Sequence, residues 1–496
     1  MKKKIAVIGS GFSGLSAASY LSKYGFEVQV FEKNTEVGGR ARKFTTDNGY
    51  TFDMGPSWYW MPDIIEDFFQ DFGSKTSDFY ELISLNPQFE MIFSDDIMNV
   101  PENYGEMKDL FESVEKGAGN RLEEFMKDAA AKYEIGMKEF VVKPCHSWIE
   151  FISPKIAKNA LKLDLLTNFS RFVRKYFQHP KLIMLMEFPV IFLGAAPKDI
   201  PALYSLMNYG GYRLGTWYPM GGFSKITEAM MSIAIKNSVK FNFDSNVEKI
   251  NVFDGRAQSL TINGTEQYFD FIIASSDYHH TEQHLLDKKY RNYNSDYWEK
   301  KILAPSCLIY YLGFKKKISN LKHHTLFFEN DLYEHTNDIY NKKKWPSKPL
   351  FYVCCSSKTD KSMAPENCEN VFLLMPVAPG IEDSEEVRED YFKQMIERLE
   401  KHTGEAQLSS YIDYKRSYCI NDFQTDYNAY KGNAYGLANT LSQTAVLKPA
   451  IRNKKIKNLL YTGQLTVPGP GVPPSIISGK IVANEVKKYF KYEKTL

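Results

Sequence analysis

The chain has 496 residues, too many for one simple core, so two closely packed domains are expected. Its 62 lysines and arginines balance 60 aspartates and glutamates, which excludes a global field that would recruit nucleic acid. Aromatic residues reach 15%, which fits either a Phe/Tyr-rich core or a large apolar ligand or membrane contact.

The first element is a short apolar strand ending at Ile8, followed at once by Gly9-Ser10-Gly11-Phe12-Ser13-Gly14. Gly9 permits a tight turn, Gly11 lets a pyrophosphate approach the backbone, and Gly14 lets the next helix pack close to the sheet. Phosphates then lie on a helix N-terminus, where free N–H groups and the dipole favour anions, so Phe12 and Ser13 join the candidate binding residues. A second strand, Glu27 to Phe31, ends at Glu32 with Lys33 beside it. A carboxylate there accepts hydrogen bonds from both ribose hydroxyls and repels a 2′-phosphate, which favours FAD or NAD over NADP. Lys2-Lys3-Lys4 before an apolar stretch imitates a secretion signal, but the glycines interrupt it and a βαβ unit continues; a cytoplasmic protein is expected.

A second glycine station, Val37-Gly38-Gly39-Arg40, precedes Gly49, Asp53 and Gly55-Pro56-Ser57. The aromatic run Trp58-Tyr59-Trp60 is read either as core or as the lining of a tunnel near the cofactor. From about 105 to 215 the pattern is mostly helical, with Asn103-Tyr104-Gly105 as a turn-like entry and Leu110, Phe111 and Val114 at helical spacing. Between Ser153 and Phe177, basic residues from Lys155 to Lys175 interleave with apolar ones from Ile156 to Val173, the pattern of a surface helix or of one lying in a lipid headgroup region. No run of about 18 apolar residues exists, the length needed to cross a bilayer; Leu182 to Ala196 comes nearest, and it contains Glu187 and Pro189.

Strands are expected at Val239–Phe243 and Val247–Val252, with an Asp254-Gly255 hairpin leading into Ala257–Ile262, then a buried strand at Phe271–Ala274. Val247 is the candidate to offer main-chain contacts to an adenine. Further strands follow at Cys307–Phe314, Leu350–Cys355 and Val371–Val377, with a long helix from Ser384 to His402. Leu459-Leu460-Tyr461 is a strand, Pro468 to Pro474 a loop, and Ser475 to Tyr489 the last helix. Gly463, Gln464, Gly471, Val472 and Pro473 sit between them, where glycines let backbone approach a flat ring and prolines pre-set a helix start. The six cysteines show no CxxC spacing and the nine histidines no HExxH, so no metal site is expected.

Joined to the first motif, Gly38-Gly39-Arg40 resembles the extended FAD motif of the flavoprotein family that contains amine oxidases and carotenoid desaturases, and on that likeness the cofactor is FAD. The segment NLLYTGQLTVPGPGVPPSIISG, Asn458 to Gly479, resembles the C-terminal signature of bacterial-type phytoene desaturases. Phe52 to Ser57, Ala274 to Asp277 and His323-His324-Thr325 match similar blocks, so the likeness covers the whole chain. Gln464-Leu465 and Val467 depart from that pattern.

The resemblance implies an α/β fold. A discontinuous Rossmann-like FAD-binding domain would take residues 1–105, 215–295 and 450–496. The inserted α+β substrate domain, 106–214 and 296–449, would carry a mixed sheet and a helical membrane-facing region. It also implies hydride loss from an allylic CH₂ of a lipophilic carotenoid to the flavin, then proton loss from the adjacent carbon. Such chemistry needs alignment more than an acid–base pair. No catalytic residue is assigned; Glu187, Asp277, His323 and His324 are candidates only. Electrons would leave to oxygen or a quinone. The protein would sit at the inner face of the membrane. The reading inclines to 3,4-desaturation of a 1-hydroxycarotenoid, with stepwise phytoene desaturation as the alternative and isomerisation or amine oxidation behind it.

Overall fold

The computed structural model describes residues 2–151, 164 and 167–493. One half is a five-stranded parallel sheet. The order is Leu459–Tyr461, Phe271–Ala274, Lys4–Ile8, Glu27–Phe31, Lys240–Asn242. Ile5, Ala6 and Val7 are fully buried, as expected of a parallel strand covered on both faces. The helix Phe12–Lys23 lies against the sheet and against the helix Val472–Glu493. Small residues let these two helices meet: Ser16 Oγ donates to the Ile476 carbonyl at 2.6 Å, and Gly479 abuts the Ser13 carbonyl.

The other half is built on a seven-stranded sheet. Its order is Ile412–Tyr418, Ser306–Phe314, Glu369–Val377, Phe351–Cys354, His324–Phe327, Phe89–Ile92, Ile97–Val100. It is mixed, because His324–Phe327 runs parallel to Phe89–Ile92 while the other pairs are antiparallel. Residues 89–100, grouped by sequence with the nucleotide unit, thus form the far edge of this sheet. The period-2 alternation sorts its two faces. Leu308, Tyr310, Val353, Leu373 and Met375 pack with Phe392, Met395 and Leu399 of the helix Glu385–Thr403. Cys307, Ile309, Tyr352 and Leu374 point the other way, into the core shared with Tyr50, Phe52 and Met54.

The expected helical region is present where it is described, but broken into short pieces after Ala118–Ile135. Asn103 caps its first helix, Tyr104–Val114, with Oδ1 accepting from the amides of Gly105 and Glu106. The last helix starts at Val472, three residues before the expected Ser475, because prolines are tolerated in a first turn whose N–H groups have no partner. Of the basic amphipathic stretch, residues 152–163 and 165–166 lie outside the described residues. In its described part Phe169, Phe172 and Val173 are core while Arg171 and Lys175 are exposed. Among the described residues, no helix is long and apolar enough to cross a membrane.

Candidate functional site

A cavity of about 470 Å³, in the size range of cofactor and ligand sites, opens at the C-terminal ends of the parallel strands. All but one of the residues singled out as cofactor contacts line it: Gly9, Gly11, Phe12, Ser13, Glu32, Lys33, Gly38, Gly39, Arg40, Gly55, Pro56, Ser57, Val247, Gly463, Gln464, Gly471, Val472 and Pro473. The exception is Gly14, which packs the helix against the turn instead.

The turn after the first strand is held by Gly9, whose amide donates to the Phe31 carbonyl at 2.8 Å with φ at 98°. Gly11 precedes the helix without a side-chain cap, so the first-turn N–H groups are unfilled by side chains. A β-carbon on Gly11 would meet nothing within 4 Å, so its backbone faces open space. The second glycine station touches the first: the Gly38 amide donates to the Ser10 carbonyl at 3.1 Å, and a β-carbon on Gly39 would stand 3.3 Å from Gly11 Cα.

Arg40 lies beside them, with Nη2 donating to the Asn433 carbonyl at 3.2 Å and the guanidinium 5.0 Å from the Tyr427 ring centroid. Its Nε is buried without a partner, and burial lowers its pKa from the ordinary arginine value. An orphaned cationic donor next to unfilled amides and a glycine backbone open to the cavity fits a pyrophosphate. Glu32 is held from both sides: Oε2 accepts from the Ser10 amide (2.9 Å) and hydroxyl (2.8 Å), Oε1 from the Asn34 amide (3.0 Å) and Nδ2 (2.8 Å). Carboxylate oxygens retain lone pairs for ribose hydroxyls beyond these four bonds. Val247, 6% exposed, stands at the start of its strand next to Ser245 and Asn246, which also line the cavity. Opposite, the Val472–Glu493 helix presents its N-terminus, and Gly463 (φ 111°) would place a β-carbon 3.2 Å from Ser13 Oγ.

Beyond the polar end the cavity becomes apolar and aromatic, walled by Trp58, Trp60, Phe188, Leu193, Leu206, Met207, Ile309 and Leu374. Of the aromatic run, Trp58 and Trp60 thus reach the cavity, whereas Tyr59 is 1% exposed and packed in the core. The sheet face supplies Tyr352, whose hydroxyl lies 3.0 Å from Ser57 Oγ.

The four candidate catalytic groups separate. Glu187 is fully buried and bound to Arg174 and to the Tyr333 hydroxyl, away from the cavity. Asp277 lines the cavity but caps a helical turn, accepting from the amides of His280 (3.0 Å) and Tyr430 (3.3 Å); burial lifts its carboxyl to about 6. His323 and His324 lie behind the wall, with Trp58 stacked on His324 at 4.3 Å. Sequence reasoning missed Ser275, Ser276, Tyr427 and Tyr352 as wall residues. The first two follow a strand adjoining the Lys4–Ile8 strand, so the crevice rule could have found them; Tyr427 and Tyr352 carry no local signal.

Residues 12–487 match the model of the flavin-containing amine oxidoreductase family. The chain is 37% identical over 481 residues to a carotenoid 3,4-desaturase of Haloarcula japonica, covering 97% of each chain. It is 29% identical to a zeta-carotene-forming phytoene desaturase of Myxococcus xanthus, covering 98% of this chain and 94% of that one. Among solved structures it resembles an oxidoreductase from Methanosarcina mazei (TM-score 0.64, 16% identity, 97% and 100% covered). It also resembles putrescine oxidase bound to putrescine (TM-score 0.61, 12% identity, 98% and 99% covered). The last two likenesses concern the fold.

Proposed function

The chain belongs to the family of flavin-containing amine oxidoreductases, and from that premise we propose that it is an FAD-dependent carotenoid desaturase acting on a 1-hydroxycarotenoid to introduce the 3,4 double bond. One observation carries the reading: a single cavity joins a dinucleotide cradle at Gly11, Glu32 and Arg40 to an apolar limb at Trp58, Phe188 and Leu206. The whole-length likeness to a 3,4-desaturase supports this choice of bond over the phytoene alternative.

When bound, the flavin supplies the hydride acceptor. The chain's part is to hold and align. The first-turn amides and Arg40 would hold the pyrophosphate and Glu32 the ribose, and the Val472 helix end would offer its positive dipole to the bound group. The apolar limb excludes water and fixes the polyene along its length. The rings of Trp58 and Trp60, 5.3 Å apart, are suited to positive charge developing on the chain of double bonds.

A substrate of this kind resides in a bilayer, and the reading extends to a protein docked on the cytoplasmic membrane face. Val142 (47% exposed), Trp148 (58%) and Ile149 (75%) follow directly on Met137 and Val141, which line the cavity. Exposed apolar side chains this near in sequence to cavity-lining residues support uptake from lipid. Anaerobic addition of carotenoid to the flavin-loaded protein tests the function: 1-hydroxycarotenoid should bleach the flavin and appear as the 3,4-dehydro product. Bleaching by phytoene alone overturns the choice of substrate, and bleaching by no carotenoid overturns the desaturase reading.

A further inference from the structure

Behind the aromatic wall, strand register assembles a group that sequence spacing conceals. His324 and Cys354 are directly paired across two antiparallel strands, so their side chains share one face, and His323 stands at the entry of the same strand. One nitrogen of each imidazole and the Cys354 sulfur all lie within 4.8 Å of one another, and all three residues are buried. The Nδ1 atoms are already engaged, His323 with Thr359 Oγ1 at 2.7 Å and His324 with the Tyr352 hydroxyl at 2.6 Å. Both Nε2 atoms are buried without a hydrogen-bond partner. Leaving a buried polar atom unmet is costly, and two adjacent in one cluster require a reason.

We propose that His323, His324 and Cys354 form a binding site for one thiophilic d¹⁰ metal ion, Zn²⁺ or Cu⁺, held by the two Nε2 atoms and the thiolate. Metal–nitrogen and metal–sulfur bonds of about 2.0–2.3 Å put ligand atoms within about 4 Å of each other, close to the 4.8 Å within which one nitrogen of each ring and the sulfur already lie. The Thr359 and Tyr352 hydroxyls occupy the positions of outer hydrogen-bond partners that fix the orientation of ligating imidazoles. The ion must displace the Cys354 thiol proton, so one proton leaves per ion bound.

The charge count differs between the two ions. A thiolate with two neutral imidazoles makes a neutral site around Cu⁺ and leaves one positive charge around Zn²⁺. A small adjoining cavity of about 20 Å³, lined by Cys354, Asp53 and Ser57, has room for one water as a fourth ligand of zinc. Trp58, stacked on His324, separates this site from the apolar limb, so the ion would brace the wall and not touch substrate.

The test uses the flavin-loaded protein, reduced with a phosphine, stripped by a chelator and offered Zn²⁺ or Cu⁺ in separate arms before gel filtration and elemental analysis. The wild type should retain about one equivalent of one ion and melt at a higher temperature with it. C354S should fall to background retention and lose the thermal shift, while C145S and C368S, altered at less buried cysteines, should keep both. If C354S does not load flavin, H323Q replaces it with the same readout. Absence of retention in both arms, or undiminished retention in C354S or H323Q, overturns the site.

Discussion

Gly14 stands against the carbonyl oxygen of Gly9: a β-carbon built on Gly14 would lie 2.1 Å from it, inside any real contact distance. The obstacle is backbone, so no side-chain rotation relieves it, and the helix would have to move off the strand turn. Gly14→Ala should therefore lower stability by more than about 3 kcal/mol, above the usual range for overpacking. The purified variant should also carry little flavin, read as the ratio of flavin to protein absorbance. Gly25→Ala, in a positive-φ turn with nothing within 4 Å of the new carbon, should cost about 1 kcal/mol and keep its flavin.

Glu32 both shapes the turn and faces the cavity. Hydrogen bonds to a charged group contribute about 1.5–3 kcal/mol each, so Glu32→Ala should weaken FAD binding by about 10- to 100-fold in a titration of the apoprotein. Part of the loss will come from Ser10, whose amide and hydroxyl both donate to Glu32 Oε2. Glu32→Gln keeps one acceptor oxygen and should fall between the two.

Lys448 gives a pH signature. It is 4% exposed, its ammonium donates to Asn439 Oδ1 at 2.8 Å, and burial drives its pKa from 10.5 down to about 7. Between those values the unfolded chain binds a proton that the folded protein does not. The Lys448 contribution to stability therefore rises as pH increases from about 7 to 10.5 and is least favourable below 7. In urea unfolding, Lys448→Met should be more stable than wild type at neutral pH, and the gap should close as the solution is made alkaline. A constant gap across that window would show that Lys448 is not the group responsible.

Met207 lines the apolar limb, away from the glycine turns. Met207→Trp should leave flavin content unchanged and slow flavin bleaching by carotenoid at least about tenfold, because added ring volume in a packed wall is accommodated poorly. Equal loss of flavin would mean that the limb and the cradle are not separable.

Trp148 and Ile149 are exposed apolar side chains close in sequence to the rim. The double change Trp148→Glu, Ile149→Glu should reduce flotation with liposomes while the melting temperature stays within a degree or two, since neither side chain supports the core. Unchanged flotation would count against membrane docking through these side chains.

How far the sequence revealed this molecule depended on whether the information was local. The Gly9–Gly14 turn and Glu32 are readable because each glycine and the carboxylate answer to a contact within one βαβ unit. The hairpin at Asp254-Gly255 is equally local, both residues having positive φ, as the tight turn requires. Phe89–Ile92 has a local hairpin partner in Ile97–Val100, but its membership of the far sheet eluded the reading because that is set by parallel pairing with the distant His324–Phe327. Tyr352 and Cys354 were invisible as a wall residue and a partner of His324 for the same reason. The start of the last helix was misplaced by three residues because prolines, read as loop, serve as its first turn.

The hydrogen bond from Ser16 to Ile476 joins groups 460 residues apart. A ribosome adding about 5–20 residues per second needs on the order of a minute to travel between them. Throughout that interval the nascent chain exposes a glycine turn with no covering helix and a parallel sheet lacking its Leu459–Tyr461 edge. The cavity wall formed by Gly463 to Pro473 is thereby completed only at the end of synthesis. The unfinished edge is the segment on which a chaperone has reason to act.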